Sequence, residues 1–417
     1  MTGRDTRVGT SRITPLHILV VGQIFIGTAS WAALIAVQTE ATYELHQKAL
    51  FMAAVTMAWG APTILLSPLV GRVIDSRGPR VVGIVSTLVS ALAMTGLIFT
   101  TGPATLWVMT FISGIARAFA QPAADSMPSW LPGPAEHVKS SVWLGFAASV
   151  PMIAGPGLAA ILVAAWGTTS AFIATAVAFL LGGSVFVLLR LARVPGQTES
   201  AETGQGPKGM RGLLAHPGLR FTILLTLIVW ISYGSLAPLE ILYIKDVLGE
   251  PVATFATIEM VYGTGLLAAT LFIARFDALL TSRHVLPVSV LLVGGGQVLY
   301  SATHSLTIAY IGVGLWGVAN GVFNPACRVT LLTRTPVEQH GRAMALWRAV
   351  QSFGSLAPPT AAGAVAHFAG VQPTIIAVGG LVAITGVVAC AMNRAGAAAE
   401  DVVAEQGPLL KEARPTL

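Results

Sequence analysis

Apolar residues occur in long runs along the chain, and short polar stretches separate one run from the next. A helix needs about 20 largely apolar residues to cross the hydrocarbon core of a bilayer. Runs of this length predict an all-α integral membrane protein with twelve transmembrane helices. The predicted spans are residues 14–38, 49–72, 80–100, 104–128, 138–163, 167–192, 218–244, 251–275, 284–303, 306–332, 341–366 and 370–394.

The composition agrees with this pattern. Hydrophobic residues make up 54% of the 417 residues and charged residues only 10%. A soluble domain usually carries about 25% charged residues, which argues against a water-soluble enzyme or a nucleic-acid-binding protein. The net charge of +6 does not indicate nucleic acid, because the charges are scattered at the ends of the runs and form no basic stripe. Cys327 and Cys390 both lie in apolar runs and indicate no disulfide framework or metal site.

Lysine and arginine positions predict the orientation, because cytoplasmic loops are enriched in these residues. With the N-terminus in the cytoplasm, Lys48 and Lys245 fall outside, Arg117 and Arg348 fall within spans, and the others lie on the cytoplasmic side. We therefore expect a multi-pass protein of the cytoplasmic (inner) membrane with both termini inside. The predicted segments are a cytoplasmic N-terminus 1–13, a six-helix half 14–192, a flexible linker 193–217, a second six-helix half 218–394 and a disordered tail 395–417.

The two halves repeat at a constant offset of 203 residues. The matched pairs include small, polar and charged residues in corresponding spans and loops. They are Arg80 with Arg283, Gly114 with Gly317, Gln121 with Asn324, Pro122 with Pro325, His137 with His340, Lys139 with Arg342, Pro156 with Pro359 and Gly167 with Gly370. Both halves begin on the same side, since six spans separate them, so they form parallel repeats. That architecture places a substrate cavity between the halves and predicts alternating access by rocking.

The loop after the second span combines glycines with charged residues: Gly71, Asp75, Arg77, Gly78 and Arg80. Gly71 permits close helix contact, and the Asp75 carboxylate can face the positive N-terminus of a helix in the other half. We expect these residues to form a conformational latch that holds the outward-facing state.

Charged residues inside spans are the strongest functional candidates. Arg117 lies near the middle of the fourth span, where an arginine costs roughly 2.5–3.5 kcal/mol on insertion scales. We expect it to face a cavity and contact a partner, although it could instead cap carbonyls between packed helices. Glu259 in the eighth span can carry a proton, and Arg348 in the eleventh is a candidate charge partner or anion contact. Glu240, near the outer end of the seventh span, is interpreted as interfacial.

Polar and amphipathic aromatic side chains on the helices expected to line the cavity are candidates for substrate contact. The alternative is that the aromatic ones are interface anchors or core packing. The candidates are Gln23, Trp31, Gln38, Trp230, Tyr233, Trp316 and Asn320.

The loop 71–80 resembles the signature G-x-x-x-D-R-x-G-R-R/K of the major facilitator superfamily, with Gly71, Asp75, Gly78 and Arg80 in matching positions. Ser76 stands where the signature has its first arginine, and Arg77 follows one residue late. The resemblance covers about residues 14–394 and implies the twelve-helix fold with two pseudo-symmetric halves. It also implies that Asp125, near the cytoplasmic end of span four, pairs with Arg77 or Arg80.

Two further motifs resemble those of the same superfamily. Arg117 with Gln121 is similar to the fourth-helix motif R-x-x-Q-G, which implies a role in proton coupling. Gly155-Pro156 is similar to the core of the exporter motif and implies a kinkable helix between the halves. Segments 121–156 and 341–344 resemble the siderophore-exporter and arabinose-efflux-like branch. The first span lacks the acidic residue found in many proton-coupled multidrug exporters of this superfamily.

Together these features predict a secondary active transporter, not an enzyme, that exports a small amphipathic molecule by proton antiport. A proton at Glu259, sensed by Arg117, would compete with the substrate, and the midspan arginines favour an anionic or zwitterionic substrate. The proton gradient is the only coupling agent expected, since no phosphate-binding loop is present. The expected partners are a small-molecule substrate and the bilayer, without nucleic acid, and we expect a monomer. Alternatives are an importer of a metal-chelate or other small solute, a lipid flippase, a membrane enzyme and a sensor without transport.

Overall fold

The computed structural model describes residues 15–127, 137–189, 217–276, 279–280, 282–335 and 339–412. Side chains are described there except at 137–146, 148–149, 274, 340–342, 345 and 395–412. All regular secondary structure in these ranges is helical.

The helices group into two compact units. Unit 1 lies within Met1–Leu45 and Ala58–Ala201, and unit 2 lies within His46–Met57 and Glu202–Leu417. Residues 46–57, predicted in the N-terminal half, therefore group with unit 2. The reason is a close approach of small residues, since a Cβ added at Gly363 would press on Ala53 and on the carbonyl of Ala49.

The described part of the first half contains seven α-helices. They are α1 (Pro15–Thr39), α2 (Ala49–Leu65), α3 (Ser67–Arg77), α4 (Pro79–Leu97), α5 (Pro103–Ser126), α6 (His137–Trp166) and α7 (Thr168–Leu188). Within unit 1, α1 packs against α6 and α7, and α4 packs against α5 and α7.

The described part of the second half contains seven longer α-helices, besides a short helical segment described below. They are α8 (Pro217–Leu236), α9 (Val252–Arg275), α10 (Val285–Ser301), α11 (Leu306–Thr333), α12 (His340–Leu356), α13 (Pro358–Ala369) and α14 (Val371–Glu412). In unit 2, α10 packs against α11 and α14, α9 packs against α11, and α8 packs against α12.

Eight helices in the described part of the chain are long and apolar enough to cross a membrane. The bent pair α2 and α3 supplies a ninth span if the two helices are counted together. Two shorter apolar helices cover Val150–Trp166 and Val285–Ser301. The helical membrane fold is as predicted, while the full number of twelve spans stays a prediction.

Prolines and glycines set several helix boundaries. Proline occupies the first turn of α3, α4, α5 and α13, where its missing N–H leaves no hydrogen bond unmade. Gly78, Gly167 and Gly370 have φ values of 80°, 79° and 92° and form the tight turns before α4, α7 and α14. This left-handed conformation is cheap only for glycine.

The internal repeat is visible in local structure. After α1 the chain forms a wider π-helical turn at Glu40–Glu44. After α8 a short helical segment, Glu240–Leu242, leads into an equivalent turn at Tyr243–Val247. The two turns are separated by the same 203 residues that relate the sequences of the halves.

Glycines at equivalent positions carry equivalent helix crossings. In unit 1, a Cβ at Gly114 of α5 would overlap the carbonyl of Ala58 and the backbone of Trp59. In unit 2, a Cβ at Gly317 of α11 would overlap the carbonyl of Tyr262. Each glycine lets two helix backbones meet, so each pair of crossing helices depends on its own glycine.

One crossing exchanges its large and small residues between the units. In unit 1, Gly27 of α1 accommodates the ring of Pro151 in α6, and in unit 2, Gly354 of α12 accommodates Trp230 of α8. Positions 27 and 230 are equivalent in the repeat, as are 151 and 354. The glycine therefore lies on opposite partners in the two halves.

The halves differ in where their helices break. In unit 1, α2 and α3 meet at an angle of 58° beyond Pro62, whereas the equivalent α9 is uninterrupted. In unit 2, the chain breaks between α12 and α13 at Ala357, whereas the equivalent α6 runs through both Pro151 and Pro156. Helix α6, which the Gly155-Pro156 motif predicts to be kinkable, thus runs without a break.

The termini and linker complete the comparison with the sequence. Helix α14 continues to Glu412, past the predicted end of the last span at 394 and through most of the tail predicted to be disordered. Its alanine-rich stretch after Arg394 has high helix propensity, which accounts for the continuation. The predicted N-terminal segment 1–13 lies outside the described residues, and so does the linker 193–217 except for Pro217.

Candidate functional site

Arg117 lies inside unit 1, on α5. Its guanidinium carbon is 5.5 Å from the centre of the Trp59 ring, and Nη2 donates to Thr63 Oγ1 at 3.3 Å. Its Nε is buried without a hydrogen-bond partner among the described residues. No described carboxylate forms an ion pair with it. A cation held over an aromatic face and lacking a counter-ion can still bind an anionic or neutral acceptor group.

The loop 71–80 has a different arrangement from the one predicted. Asp75 and Arg77 are exposed on α3. Gly71 makes no close helix contact, since a Cβ there would have no described atom within 4 Å. Arg80 donates from Nε to the carbonyl of Phe186 at 3.2 Å and from Nη2 to the carbonyl of Val187. Arg80 therefore caps the C-terminal end of α7, where free carbonyls favour a cation.

Asp125, the predicted partner of Arg77 or Arg80, is exposed near the end of α5. Its Oδ1 accepts a hydrogen bond from Gln121 Nε2 at 3.0 Å. The described contacts of Arg80 go to α7 and not to Asp125. The latch stays a prediction about another conformation.

Three predicted residues of α1 have clear surroundings in unit 1. Gln23 and Trp31 line a small pocket of about 190 Å³ that also includes Gln121 and Asp125. Gln23 Nε2 donates to the carbonyl of Ala124 at 3.0 Å and so ties α1 to α5. Gln38 is buried.

Gly155 of α6 makes a close helix contact within unit 1, and its predicted place between the halves stays a prediction. A Cβ there would overlap Trp31 Cβ and press on the backbone of α1. Gly155 and the buried Pro156 therefore lie at a close contact between two helices of unit 1.

In unit 2, four aromatic rings from three helices form a continuous group. Trp230 and Tyr233 of α8 meet edge-on with ring centres 5.4 Å apart. Tyr233 lies 6.4 Å from Trp316 of α11, and Trp316 lies 4.7 Å from Tyr262 of α9. The predicted candidates Trp230, Tyr233 and Trp316 are thus neighbours.

Two carboxyl groups adjoin these rings. Glu259 lies one turn before Tyr262 on α9 and is partly buried, and Glu240 is only 6% exposed. The two carboxyls lie within electrostatic reach of one another and of the hydroxyls of Tyr233 and Tyr262. We call Trp230, Tyr233, Glu240, Glu259, Tyr262 and Trp316 the acidic aromatic cluster.

The cluster contains no compensating positive charge. Within the described residues, neither Glu240 nor Glu259 forms an ion pair with a lysine, arginine or histidine. Tyr300 of α10 is fully buried beside Glu240, and its hydroxyl has no hydrogen-bond partner of good geometry among the described groups. A carboxylate in a poorly hydrated site without a cationic partner is costly when ionised, so the site favours uptake of a proton or another cation.

Two further predicted residues of unit 2, Asn320 and Arg348, are not part of the acidic aromatic cluster. Asn320 is buried, and its Nδ2 donates to the carbonyl of Trp316 one turn earlier at 3.1 Å. Arg348 is exposed on α12 and forms no ion pair with a described carboxylate.

Sequence reasoning missed several groups. Glu240, interpreted as interfacial, is buried in the acidic aromatic cluster, and Tyr262 was not singled out. The i, i+3 spacing of Glu259 and Tyr262 is the signal that could have found the tyrosine. Trp59 and Thr63, the contacts of Arg117, could not be identified from the sequence. Their contact with Arg117 depends on how spans two and four pack, which the sequence alone does not show.

The fold and these sites define a polytopic α-helical membrane protein built from two related units. The sequence profile of the Major Facilitator Superfamily matches residues 19–258 and 222–413, and the chain belongs to that family. The family and the transporter folds below support membrane transport as its function.

Full-length relatives share about a quarter of their residues with the chain. The "Uncharacterized MFS-type transporter YfiS" of Bacillus subtilis is 24% identical over 386 residues, covering 89% of this chain and 92% of the relative. The "Multidrug efflux pump Tap" of Mycolicibacterium fortuitum is 23% identical over 405 residues, covering 91% and 96%.

Solved structures show the same fold at low identity. The nucleoside transporter NupG has a TM-score of 0.73 at 13% identity and covers 91% of this chain and 98% of its own. A bacterial homologue of the human lysosomal transporter Spinster, in an inward-facing, unoccupied conformation, has a TM-score of 0.72 at 13% identity, covering 93% and 98%.

Proposed function

We propose that this member of the superfamily is a proton-coupled exporter of a small amphipathic molecule in the cytoplasmic membrane, with both termini inside. The carrying observation is the pair Glu240, which is buried, and Glu259, which is partly buried; the two lie within electrostatic reach of each other and have no cationic partner in the described residues. Two neighbouring carboxylates repel when both are charged. Binding of protons, or of a positively charged group, relieves that repulsion.

The proposed cycle couples this relief to alternating access. Protons bind the carboxyls when the site faces outward and displace the substrate. They leave when the site faces the cytoplasm, and the substrate takes their place. Exchange at one site suffices for antiport, because the substrate and the proton each exclude the other.

Arg117 is the second element of the proposal. Its buried guanidinium contacts only Thr63 and the Trp59 ring in the described part of unit 1. Such a charge inside a membrane protein is expensive and is most often functional. We assign it the task of sensing the protonation state or holding a polar group of the substrate.

Two observations support export rather than import. The chain is similar over 91% of its length to a protein named as a multidrug efflux pump. Gly155, in the segment similar to the exporter motif, supports a close contact of α6 with α1.

Proton movement in everted membrane vesicles tests the proposal. The vesicles carry a pH gradient and receive lipophilic cations, siderophore-like chelators or amphipathic anions in turn. We expect compound-dependent proton release with the wild type and with Glu250→Gln, a matched glutamate outside the cluster. Glu259→Gln and Arg117→Ala should abolish it.

Two results would contradict the proposal. One is accumulation of a compound in right-side-out vesicles along the proton gradient, which indicates an importer. The other is proton release that persists in Glu259→Gln and Glu240→Gln, because the carboxyl pair would then not be the exchange site.

A further inference from the structure

The chemistry of the acidic aromatic cluster specifies the charge of a ligand. The rings of Trp230, Tyr233, Tyr262 and Trp316 meet edge-on or tilted, with ring centres 4.7–6.4 Å apart. Aromatic faces attract a cation, and by about 2 kcal/mol or more when the site is desolvated. The same faces also provide apolar surface for the body of an amphipathic molecule.

The carboxyls add to this preference. The charged and titratable groups within electrostatic reach of Glu240 and Glu259 are each other and the tyrosines Tyr233, Tyr262 and Tyr300. No lysine, arginine or histidine of the described chain is among them. An anion would meet two carboxyls and four negative ring faces, whereas an ammonium group would meet complementary charge on every side.

Unpartnered buried donors near the cluster specify a second feature. Gln297 is fully buried on α10, and its Oε1 accepts from Ser232 of α8, while its Nε2 has no acceptor among the described groups. The buried Nε1 of Trp230 likewise has no acceptor in the described structure. Buried donors in native proteins are nearly always paired, so these two are suited to an acceptor atom on a ligand.

We propose that the acidic aromatic cluster binds an organic cation: a protonated amine on an aromatic or aliphatic body, carrying at least one hydrogen-bond-accepting oxygen. This inference rests on the proposed exchange function and names its substrate class. It replaces the anionic or zwitterionic preference drawn from Arg117 and Arg348, since Arg348 is exposed and Arg117 belongs to unit 1. The ammonium group lies between Glu240 and Glu259, the rings enclose the body, and the oxygen accepts from Trp230 or Gln297.

Equilibrium dialysis on the purified full-length protein tests this directly. The probes are radiolabelled propranolol, a naphthyl ether with a protonated amine, and naproxen, a naphthyl ether of similar size with a carboxylate. At pH 8 we expect propranolol to bind in preference to naproxen. Glu259→Gln should weaken propranolol binding about tenfold or more, in line with the loss of one buried charge contact. Glu250→Gln should leave it unchanged.

Protonation of the carboxyls removes their attraction for a cation, so propranolol binding to the wild type should fall between pH 8 and pH 5.5. The fall should be smaller in Glu259→Gln, which has one titrating carboxyl fewer. Size-exclusion profiles establish that each variant is folded, and Glu240→Gln provides an independent second variant.

The inference is overturned if the folded wild type prefers naproxen or fails to bind propranolol. It is also overturned if Glu259→Gln and Glu240→Gln both bind propranolol as tightly as the wild type does. If naproxen drives proton release in everted vesicles, the exchange function stands and only the substrate class is wrong. If propranolol binds through Glu259 but moves no protons, the site assignment stands and the antiport proposal fails.

Discussion

Arg117 in unit 1 and Asn320 in unit 2 occupy equivalent positions of the repeat, 203 residues apart. Trp59 lies beside Arg117, and Tyr262 is the residue of the second half that corresponds to Trp59. The arginine has no counter-ion in the described structure, whereas the asparagine is satisfied by the carbonyl of Trp316 within its own helix. The equivalent helix crossings thus hold a charged side chain in one unit and a side chain satisfied within its own helix in the other.

The carboxyls show the opposite asymmetry. Glu240 and Glu259 lie in the second half of the chain, and their counterparts in the first half are Val37 and Thr56. Val37 is fully buried, and Thr56 donates to the carbonyl of Met52 in its own helix. The comparison teaches that the helix crossings are repeated in both halves, while the charged side chains at positions 117, 240 and 259 are not.

The largest effect should come from the shared scaffold itself. Gly114→Ala and Gly317→Ala both place a Cβ against a helix backbone, and overpacking of this kind costs roughly 1–3 kcal/mol. We expect both variants to lose much of the folded population, measured as the apparent Tm of the detergent-purified protein. Gly295→Ala is the control, because a Cβ there meets no described atom within 4 Å. A lower apparent Tm in only one of the two variants would show that the two crossings are not energetically equivalent.

Making unit 1 resemble unit 2 should abolish coupling without unfolding the protein. Arg117→Asn removes the cation and introduces the residue found at position 320. We expect transport in vesicles to fall about tenfold or more, a size typical of coupling energies of 1–3 kcal/mol. The apparent Tm should not fall, because the buried arginine has few polar contacts to lose. A variant that transports normally would assign Arg117 to packing alone.

The two π-helical turns offer a smaller contrast. In unit 1, Thr168 donates to Glu40 Oε2 at 2.5 Å, and in unit 2, the Tyr243 hydroxyl lies 3.1 Å and 2.9 Å from the carbonyls of Tyr300 and Thr303. A hydrogen bond to a charged group contributes about 1.5–3 kcal/mol, against about 0.5–1.5 kcal/mol for a neutral one. Thr168→Val should therefore lower the apparent Tm more than Tyr243→Phe does. The reverse order would mean that the tyrosine turn is the stronger tie.

The smallest effect should come from the exposed loop of unit 1. Asp75→Asn removes a carboxylate that we expect to face a helix N-terminus in the outward-facing state, an interaction of about 0.3–1 kcal/mol. We expect a severalfold shift at most towards the inward-facing state, read from the labelling rates of single cysteines on each side. Asp246→Asn, an exposed aspartate of unit 2, serves as control. Identical labelling of the Asp75 variant and the parent would remove the latch from the mechanism.

The sequence predicted the helical fold because hydrophobic runs report directly on membrane-spanning helices. It also placed Trp230, Tyr233 and Trp316 on helices expected to line a cavity, and Glu259 inside a span. It could not show that they are neighbours, since their contact depends on how three helices are rotated about their axes. Glu240 was misjudged for the same reason: its position near a span end suggested water, while the fold buries it beside Tyr300. The helix breaks were missed because proline alone does not break a membrane helix, as α6 demonstrates.

The exchange of glycine between partners at one crossing has a consequence for how such a protein can change. Gly27 faces Pro151 in unit 1, while Trp230 faces Gly354 in unit 2, so each crossing pairs one glycine with one larger residue, on opposite partners. Transplanting α1 alone into the place of α8 would bring glycine against glycine and leave a void. Transplanting α8 alone into the place of α1 would bring tryptophan against proline. An exchange of helices between the halves therefore preserves this packing only when α1 moves together with α6, or α8 together with α12. The pair of crossing helices, and not the single helix, is the unit that can be exchanged.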